Sequence, residues 1–110
     1  TTLDMFCEQN GIALIDFLKL DVEGHELAVL RGGQKMFSSG RVKMVQFEFG
    51  GCNIDSRTFF KDYMNFFAAD FDVYRILSNG LRRIETYNER LEVFQSANYL
   101  AVKKGLAKTS

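Results

Sequence analysis

Two short segments of the chain concentrate the side chains that could do chemistry. The first, residues 21–26, reads Asp-Val-Glu-Gly-His-Glu and holds three carboxylates and the only histidine of the protein. A carboxylate or an imidazole within hydrogen-bonding reach of a hydroxyl can remove its proton while that oxygen attacks an electrophile. We therefore take Asp21, Glu23 and His25 as the candidate catalytic residues.

The same three residues also have a purely structural interpretation. Asp21 is equally suited to ending a strand, and Glu23 is suited to the first turn of a helix, as is Glu26, because that end of a helix favours negative charge. A single histidine at a helix start is more often a surface residue than a base. The sequence leaves both interpretations open.

The second segment, residues 48–53, reads Glu-Phe-Gly-Gly-Cys-Asn. We take Glu48, Gly50 and Asn53 as the candidate substrate-binding residues, because a carboxylate can hold the hydroxyl groups of an acceptor and the loop can shape its pocket. The alternative is a buried acid satisfied by backbone N–H groups, with a loop that only supplies a positive φ. Two acids at adjacent strand ends also suit Mg²⁺, but no third oxygen ligand is evident, and we predict no metal.

The apolar pattern predicts the elements that position the two segments. A capped helix is expected over residues 2–9, followed by an apolar strand over 12–22 that is parallel, interior and covered on both faces. A helix of about 13 residues follows Gly24, and a second apolar strand covers 42–49. The next helix carries an aromatic stripe for the core, formed by Phe59, Phe60, Tyr63, Met64 and Phe67.

The carboxyl-terminal part of the chain predicts antiparallel pairing. The Asn-Gly pair at 79–80 is typical of a tight hairpin between strands 71–77 and 81–85, and a last strand covers 97–103. The whole chain, residues 1–110, is then one α/β unit whose sheet begins parallel and ends antiparallel. Open α/β sheets bind ligands beyond the carboxyl ends of their parallel strands, where Asp21 and Glu48 fall.

Four ordered blocks of the sequence resemble the FkbM-type methyltransferase family. They are Leu-Lys-Leu-Asp-Val-Glu-Gly at 18–24, Gln-Phe-Glu-Phe-Gly at 46–50, Ser-Arg-Thr-Phe-Phe-Lys-Asp at 56–62 and Asn-Tyr-Leu-Ala at 98–101. The resemblance implies an O-methyltransferase that takes its methyl group from S-adenosylmethionine and acts on a small hydroxylated acceptor, such as a sugar or a polyketide-like molecule. It also implies a Rossmann-like sheet, of which this chain corresponds to strands four to seven.

The sequence departs from that family in two ways. None of its nine glycines falls in a G-x-G pattern after a strand, so the cofactor-binding turn is not present here and the cofactor-binding residues are unknown. Relatives usually have a small residue where His25 stands. We expect the carboxyl-terminal half of a methyltransferase domain, inactive as given; the alternative is a non-catalytic half-domain that acts as an interaction module.

Composition limits the partners. The 14 basic and 14 acidic residues cancel, which argues against nucleic acid, and no apolar run is long enough to span a membrane. The distant Cys7 and Cys52 signal neither a disulfide framework nor a zinc site, and a cytoplasmic location fits them best. Strand 14–21 would be an exposed apolar edge without its family neighbour, with Lys19 as the only positive charge, so we expect a homo-oligomer through it.

Overall fold

A computed structural model describes residues 1–21, 24–50, 53, 57–92 and 97–105. Its helices are α1 (Leu3–Gln9), α2 (Glu26–Arg31), α3 (Gln34–Ser38) and α4 (Phe60–Phe67), with a 3₁₀ helix at Glu89–Leu91. Its strands are β1 (Leu18–Lys19), β2 (Met44–Phe49), β3 (Phe71–Leu77), β4 (Gly80–Ile84) and β5 (Ala97–Lys103).

The five strands form one sheet in the order β1-β2-β5-β3-β4. Among the described strands, β1 and β2 are the one parallel pair, with Leu18 opposite Val45 and Lys19 opposite Gln46; the other neighbours are antiparallel. The last strand, β5, inserts between β2 and β3, so β3 runs in the same direction as β2. The predicted mixed α/β sheet, parallel at its start and antiparallel at its end, is confirmed.

Elements with strong local signals begin and end close to their predicted positions. The hydroxyl of Thr2 accepts a hydrogen bond from the N–H of Met5 at 3.2 Å and caps α1. The tight hairpin of β3 and β4 is confirmed, but it turns at Ser78 and Asn79, one residue before the predicted Asn-Gly pair. Gly80 is the first residue of β4, opposite Leu77, and has a φ of 142° that favours glycine. Strand β5 covers the predicted residues 97–103.

The interior strand predicted over residues 12–22 is wrong in its length and its position. Strand β1 has two residues and lies at the edge of the sheet, preceded by one isolated bridge between Ile15 and Val42. Leu14 and Phe17 are each about half exposed, at 48% and 49%. The apolar side chains of this segment predicted cover on both faces, which this exposure contradicts. The exposed edge expected for residues 14–21 is confirmed, since no described strand lies on the outer side of β1.

The single helix predicted after β1 is also wrong, because it is interrupted by the glycine pair at 32–33 and becomes α2 and α3. Helix α1 packs against the interruption so closely that a Cβ atom on the second of these glycines would lie 2.7 Å from Cδ2 of Leu3. The carboxylate of Asp4 then accepts hydrogen bonds from the N–H groups of Lys35 and Met36, at 2.9 and 3.0 Å. A distant helix therefore caps the start of α3.

Helix α4 supplies the aromatic centre of the core. Phe60, Tyr63 and Phe67 are fully buried, and the Tyr63 ring stacks on Phe47 of β2 with centroids 4.7 Å apart. The predicted stripe is confirmed for these three residues. It is wrong for Phe59, whose side chain is 52% exposed. Phe59 precedes the first residue of α4, and its backbone N–H donates to the carboxylate of Asp62.

The start of α4 is also capped by a distant carboxylate. Glu92 accepts hydrogen bonds from the N–H groups of Phe60 and Lys61, at 2.7 and 3.0 Å. The hydroxyl of Tyr87 donates to the same carboxylate at 2.5 Å. This hydrogen bond is the main reason why the pKa of Tyr87 is raised from 10.0 to about 12.

The two faces of the sheet are covered unequally. Val45, Phe47 and Phe49 on one face of β2 are fully buried in a single apolar cluster, to which all four described helices contribute. The alternating residues of β2, Met44, Gln46 and Glu48, are only half-buried and stay outside this cluster. The described helices therefore lie on one face, and the other face is partly open to solvent.

Candidate functional site

Strands β1 and β2 end at the same rim of the sheet because they run parallel. The N–H of Leu20 donates to the carbonyl oxygen of Gln46 at 2.9 Å, so the pairing continues one residue beyond β1. Continuing this register by one further residue puts Asp21 beside Glu48. Asp21 is exposed; Glu48 is half-buried on the partly open face of the sheet, opposite Asn98 of β5.

The other two candidate catalytic residues follow Asp21 in the turn before α2. Glu23 lies outside the described residues. His25 is exposed at the position before the helix, and its side chain makes no capping hydrogen bond. Gly24 has a φ of 93°, a left-handed conformation that L side chains rarely adopt, which explains a glycine at the turn from strand to helix. Asp21 and His25 are therefore both exposed within one turn.

Glu26 is the most unusual residue of this turn. Its side chain has no solvent exposure. One carboxylate oxygen, Oε1, accepts a hydrogen bond from the N–H of Gly24 at 2.9 Å, whereas Oε2 is buried without a hydrogen-bond partner among the described residues. An unsatisfied buried acceptor costs about 1–3 kcal/mol, and more when it is charged. Such an oxygen offers strong stabilisation to any donor that reaches it.

The turn after β2 is organised by Asn53, whose side chain is almost completely buried. Its Oδ1 accepts a hydrogen bond from the N–H of Gly50 at 3.0 Å, and its Nδ2 donates to the hydroxyl of Tyr63 at 3.1 Å. Its carbonyl oxygen accepts from the N–H of Thr58. The backbone of Gly50 does not have the positive φ considered from the sequence. Asn53 thus connects this turn to α4.

The hydroxyl of Tyr63 interacts with residues of both turns. Burial raises its pKa from 10.0 to about 12; hydrogen bonds from Asn53 and from the backbone of Leu27 act in the opposite direction, and the nearby charges of Glu26 and Asp62 raise it further. Glu26, Asn53 and Tyr63 therefore form a cluster of buried polar side chains, which we call the buried cluster. It lies on the helix-covered side of the two turns.

Sequence reasoning assigned Glu26 only a favourable place in a helical turn and Tyr63 only a place in the core. One signal points to Tyr63, since a tyrosine among phenylalanines on a buried stripe has to bring its hydroxyl to a polar partner. No comparable signal distinguishes Glu26 from an exposed acid, because its burial depends on how α4 and the turns pack.

The described part of the chain offers neither a metal centre nor a membrane-spanning helix. No group of three His, Cys, Asp or Glu side chains there could hold a metal ion. No helix there is long and apolar enough to cross a bilayer. The thiol of Cys7 is free and buried, whereas Cys52 lies outside the described residues.

Comparison with family models matches residues 1–98 of the 110-residue chain to the methyltransferase FkbM domain. No curated protein and no solved structure matches the chain. The matched residues include both strand-end turns and all three members of the buried cluster.

Proposed function

The chain belongs to the FkbM methyltransferase domain family, and from that premise we propose that it serves the transfer of a methyl group from S-adenosylmethionine to a hydroxyl of a small acceptor, such as a sugar or a polyketide-like molecule. The observation that carries this proposal is the parallel register of β1 and β2, whose extension beyond Leu20 brings exposed Asp21 beside half-buried Glu48 at the rim where the strands end. Ligands of α/β sheets bind at such a rim.

Each residue at the rim has a distinct role in this proposal. Asp21 takes the proton of the acceptor hydroxyl, with His25 as the alternative base in the same turn. The cofactor would supply the methyl group, whose bond to sulfur would break with its electron pair left on the sulfur. Glu48 accepts hydrogen bonds from other hydroxyls of the acceptor and orients it. Glu26 is a positioning residue, because its Oε1 holds the N–H of Gly24 and so fixes the turn that carries Asp21.

The sequence lacks one part of the binding site for S-adenosylmethionine, the glycine-rich turn. The cofactor supplies an electrophilic methyl group when bound, but no glycine of this chain is followed by another two residues later, so a G-x-G turn is missing from it. We propose that the chain corresponds to the carboxyl-terminal part of a Rossmann-like sheet. The partly open face of β2 supports this, since parallel α/β sheets normally carry helices on both faces.

Two measurements test the proposal. The intact enzyme that carries this sequence is expected to transfer labelled methyl groups from S-adenosylmethionine to members of a panel of hydroxylated acceptors. Absence of transfer to every hydroxyl, with transfer to amines or thiols instead, would contradict it. The 110-residue chain alone is expected to bind the cofactor weakly or not at all by calorimetry. Micromolar affinity, about 8 kcal/mol of binding free energy, would require a complete site within this chain.

A second candidate function, an interaction module, is favoured by the open edge at β1. Leu14 and Phe17 expose about half of their surface there, and Lys19 is the one basic residue of segment 14–21. Apolar edges with unpaired N–H and C=O groups recruit further strands. We propose a second copy of this chain as the partner, paired through segment 14–21.

Light scattering over a concentration series tests this pairing. Phe17→Lys is expected to shift the protein toward the monomer, because it places a charge on the pairing edge. Leu81→Lys is the matched control, since Leu81 is similarly exposed, at 53%, on the opposite edge strand β4. A wild-type protein that stays monomeric at high concentration, or an equal effect of both substitutions, would exclude pairing through this edge.

A further inference from the structure

A cleft of about 440 Å³ lies beside the β3–β4 hairpin, at the edge of the sheet opposite to β1. Three arginines line it, Arg75, Arg82 and Arg83, and one acid, Glu85. Thr86 adds a hydroxyl group. The cleft is therefore positively charged, although the whole protein has no net charge.

Two of these arginines are placed directly against each other. Arg75 of β3 is the cross-strand partner of Arg82 of β4. Like charges in directly opposed positions destabilise a pair of strands. Neither guanidinium forms an ion pair with a described residue, whereas that of the adjacent Arg83 is bonded to Asp72 at 3.1 Å. The hairpin thus keeps together two positive charges that no ion pair within the described residues compensates.

Arg75 also lies next to the central strand β5 of the sheet. Arg75 is also the cross-strand partner of Tyr99 in β5. Burial raises the pKa of Tyr99, and the positive charge of Arg75 partly offsets that effect. Because β3 runs in the same direction as β2, Arg75 lies toward the rim where β2 ends.

We propose that Arg75 and Arg82 form a binding site for the phosphate group of a small molecule. A phosphate dianion between the two guanidinium groups replaces their repulsion with two charge-assisted, bidentate interactions. A carboxylate carries one charge and would neutralise only one of them. The hydroxyl of Thr86 is a further donor in the cleft. This site goes beyond the proposed methyl transfer and does not depend on it.

Titration with inorganic phosphate at constant ionic strength, adjusted with chloride, tests the site directly. The probe is the NMR signal of each arginine Nε–H group in the 110-residue chain. Saturable shifts are expected at Arg75 and Arg82, with a dissociation constant of about 1 mM. Arg75→Gln and Arg82→Gln should each weaken binding about tenfold or more, because bidentate contacts to a charged group are lost. The affinity of Arg75→Lys for phosphate should lie between that of wild type and that of Arg75→Gln.

Arg41→Gln is the matched control, since Arg41 is exposed and does not line the cleft. It should bind phosphate like the wild type. Thermal unfolding gives a second readout: phosphate should raise the Tm of wild type and of Arg41→Gln, but not of the two cleft variants. Shifts that do not saturate, equal shifts at Arg41, or equally tight binding of acetate would overturn the proposal. Tighter binding of an oligonucleotide than of phosphate would overturn it in favour of a nucleic-acid surface.

Discussion

The two turns at the rim of the sheet use their polar side chains in opposite ways. The turn after β1 leaves Asp21 and His25 exposed and buries Glu26 with one oxygen unpartnered among the described residues. The turn after β2 buries Asn53 and engages both its Oδ1 and its Nδ2 in hydrogen bonds. The position of a residue at a strand end therefore indicates only where a candidate site lies. Its burial and its hydrogen bonds then distinguish a residue that a substrate could reach from a residue that holds the turn in place.

The largest difference between the turns should appear in activity. Asp21→Asn keeps the size of the side chain but removes the base, so methyl transfer by the intact enzyme should fall about 10²-fold or more. Stability should change by less than about 0.5 kcal/mol, because the side chain is exposed. Asp70→Asn, at an exposed turn before β3, is the control and should retain full turnover. Unchanged turnover of Asp21→Asn would leave Asp21 as a residue that only ends a strand.

The turn after β2 should instead respond in stability. Asn53→Ala removes the hydrogen bonds to Gly50 and Tyr63 and leaves buried groups unsatisfied, so we expect a loss of about 2–4 kcal/mol. Urea unfolding should show a lower midpoint with an unchanged slope. Asn65→Ala on the exposed side of α4 should cost less than about 1 kcal/mol. Similar losses for both variants would mean that Asn53 does not hold the turn.

Tyr63→Phe should have a smaller effect that depends on pH. At neutral pH it leaves Nδ2 of Asn53 without the hydroxyl, which costs about 1–2 kcal/mol. Between pH 10 and 12 the unfolded chain releases the tyrosine proton that folded Tyr63 retains, since its pKa is about 12. Wild-type stability therefore falls as pH rises through this window.

In Tyr63→Phe, the free energy of unfolding should decline less with pH, because Tyr63 no longer contributes. The contribution of Tyr87, whose pKa is also about 12, persists. Urea midpoints measured from pH 8 to pH 11 should show a shallower slope for Tyr63→Phe than for wild type. Parallel slopes would show that Tyr63 ionises normally and is not isolated from water.

The smallest expected effect is a shift in the pKa of Tyr63 when Glu26, in the other turn, is changed. Glu26→Gln removes a negative charge near Tyr63 and should lower the pKa of Tyr63 below about 12, measured by the ultraviolet absorbance of tyrosinate. The glutamine oxygen can still accept from the N–H of Gly24, so the fold should persist. Glu8→Gln on the exposed surface of α1 should leave the titration unchanged. A titration unaffected by Glu26→Gln would separate Glu26 from the buried cluster.

Sequence reasoning succeeded where the deciding interactions are local. The capped start of α1, the tight β3–β4 hairpin and strand β5 depend on residues within a few positions of each other, and these elements occur close to their predicted positions. The apolar pattern failed for segment 12–22 because apolar residues fit an interior strand and an edge strand alike, whereas the edge position was expected only from the family resemblance, which implied a missing neighbour. The outcome depends on which strand lies beside them, and that is not encoded in the segment itself.

The candidate site divides in the same way. The rule that parallel strands end at one rim predicts that Asp21 and Glu48 lie together, and the register of β1 and β2 runs in the direction that this prediction requires. The interruption of the helix after β1 has a local signal, the glycine pair at 32–33, which the apolar period hid. The packing of α1 on Gly33 and the burial of Glu26 near Tyr63 depend on distant segments. No periodicity within residues 24–38 could reveal either contact.

The remote caps of α3 and α4 have a consequence for how the protein folds. Helices of five and eight residues are too short to nucleate stably in water. Their first N–H groups are satisfied by Asp4 and Glu92, which lie 31 or 32 positions away along the chain. Neither helix can complete its first turn before those long loops close. Peptides of residues 33–39 or 59–68 should therefore be unstructured alone, and helix formation should coincide with collapse of the aromatic core in one cooperative transition.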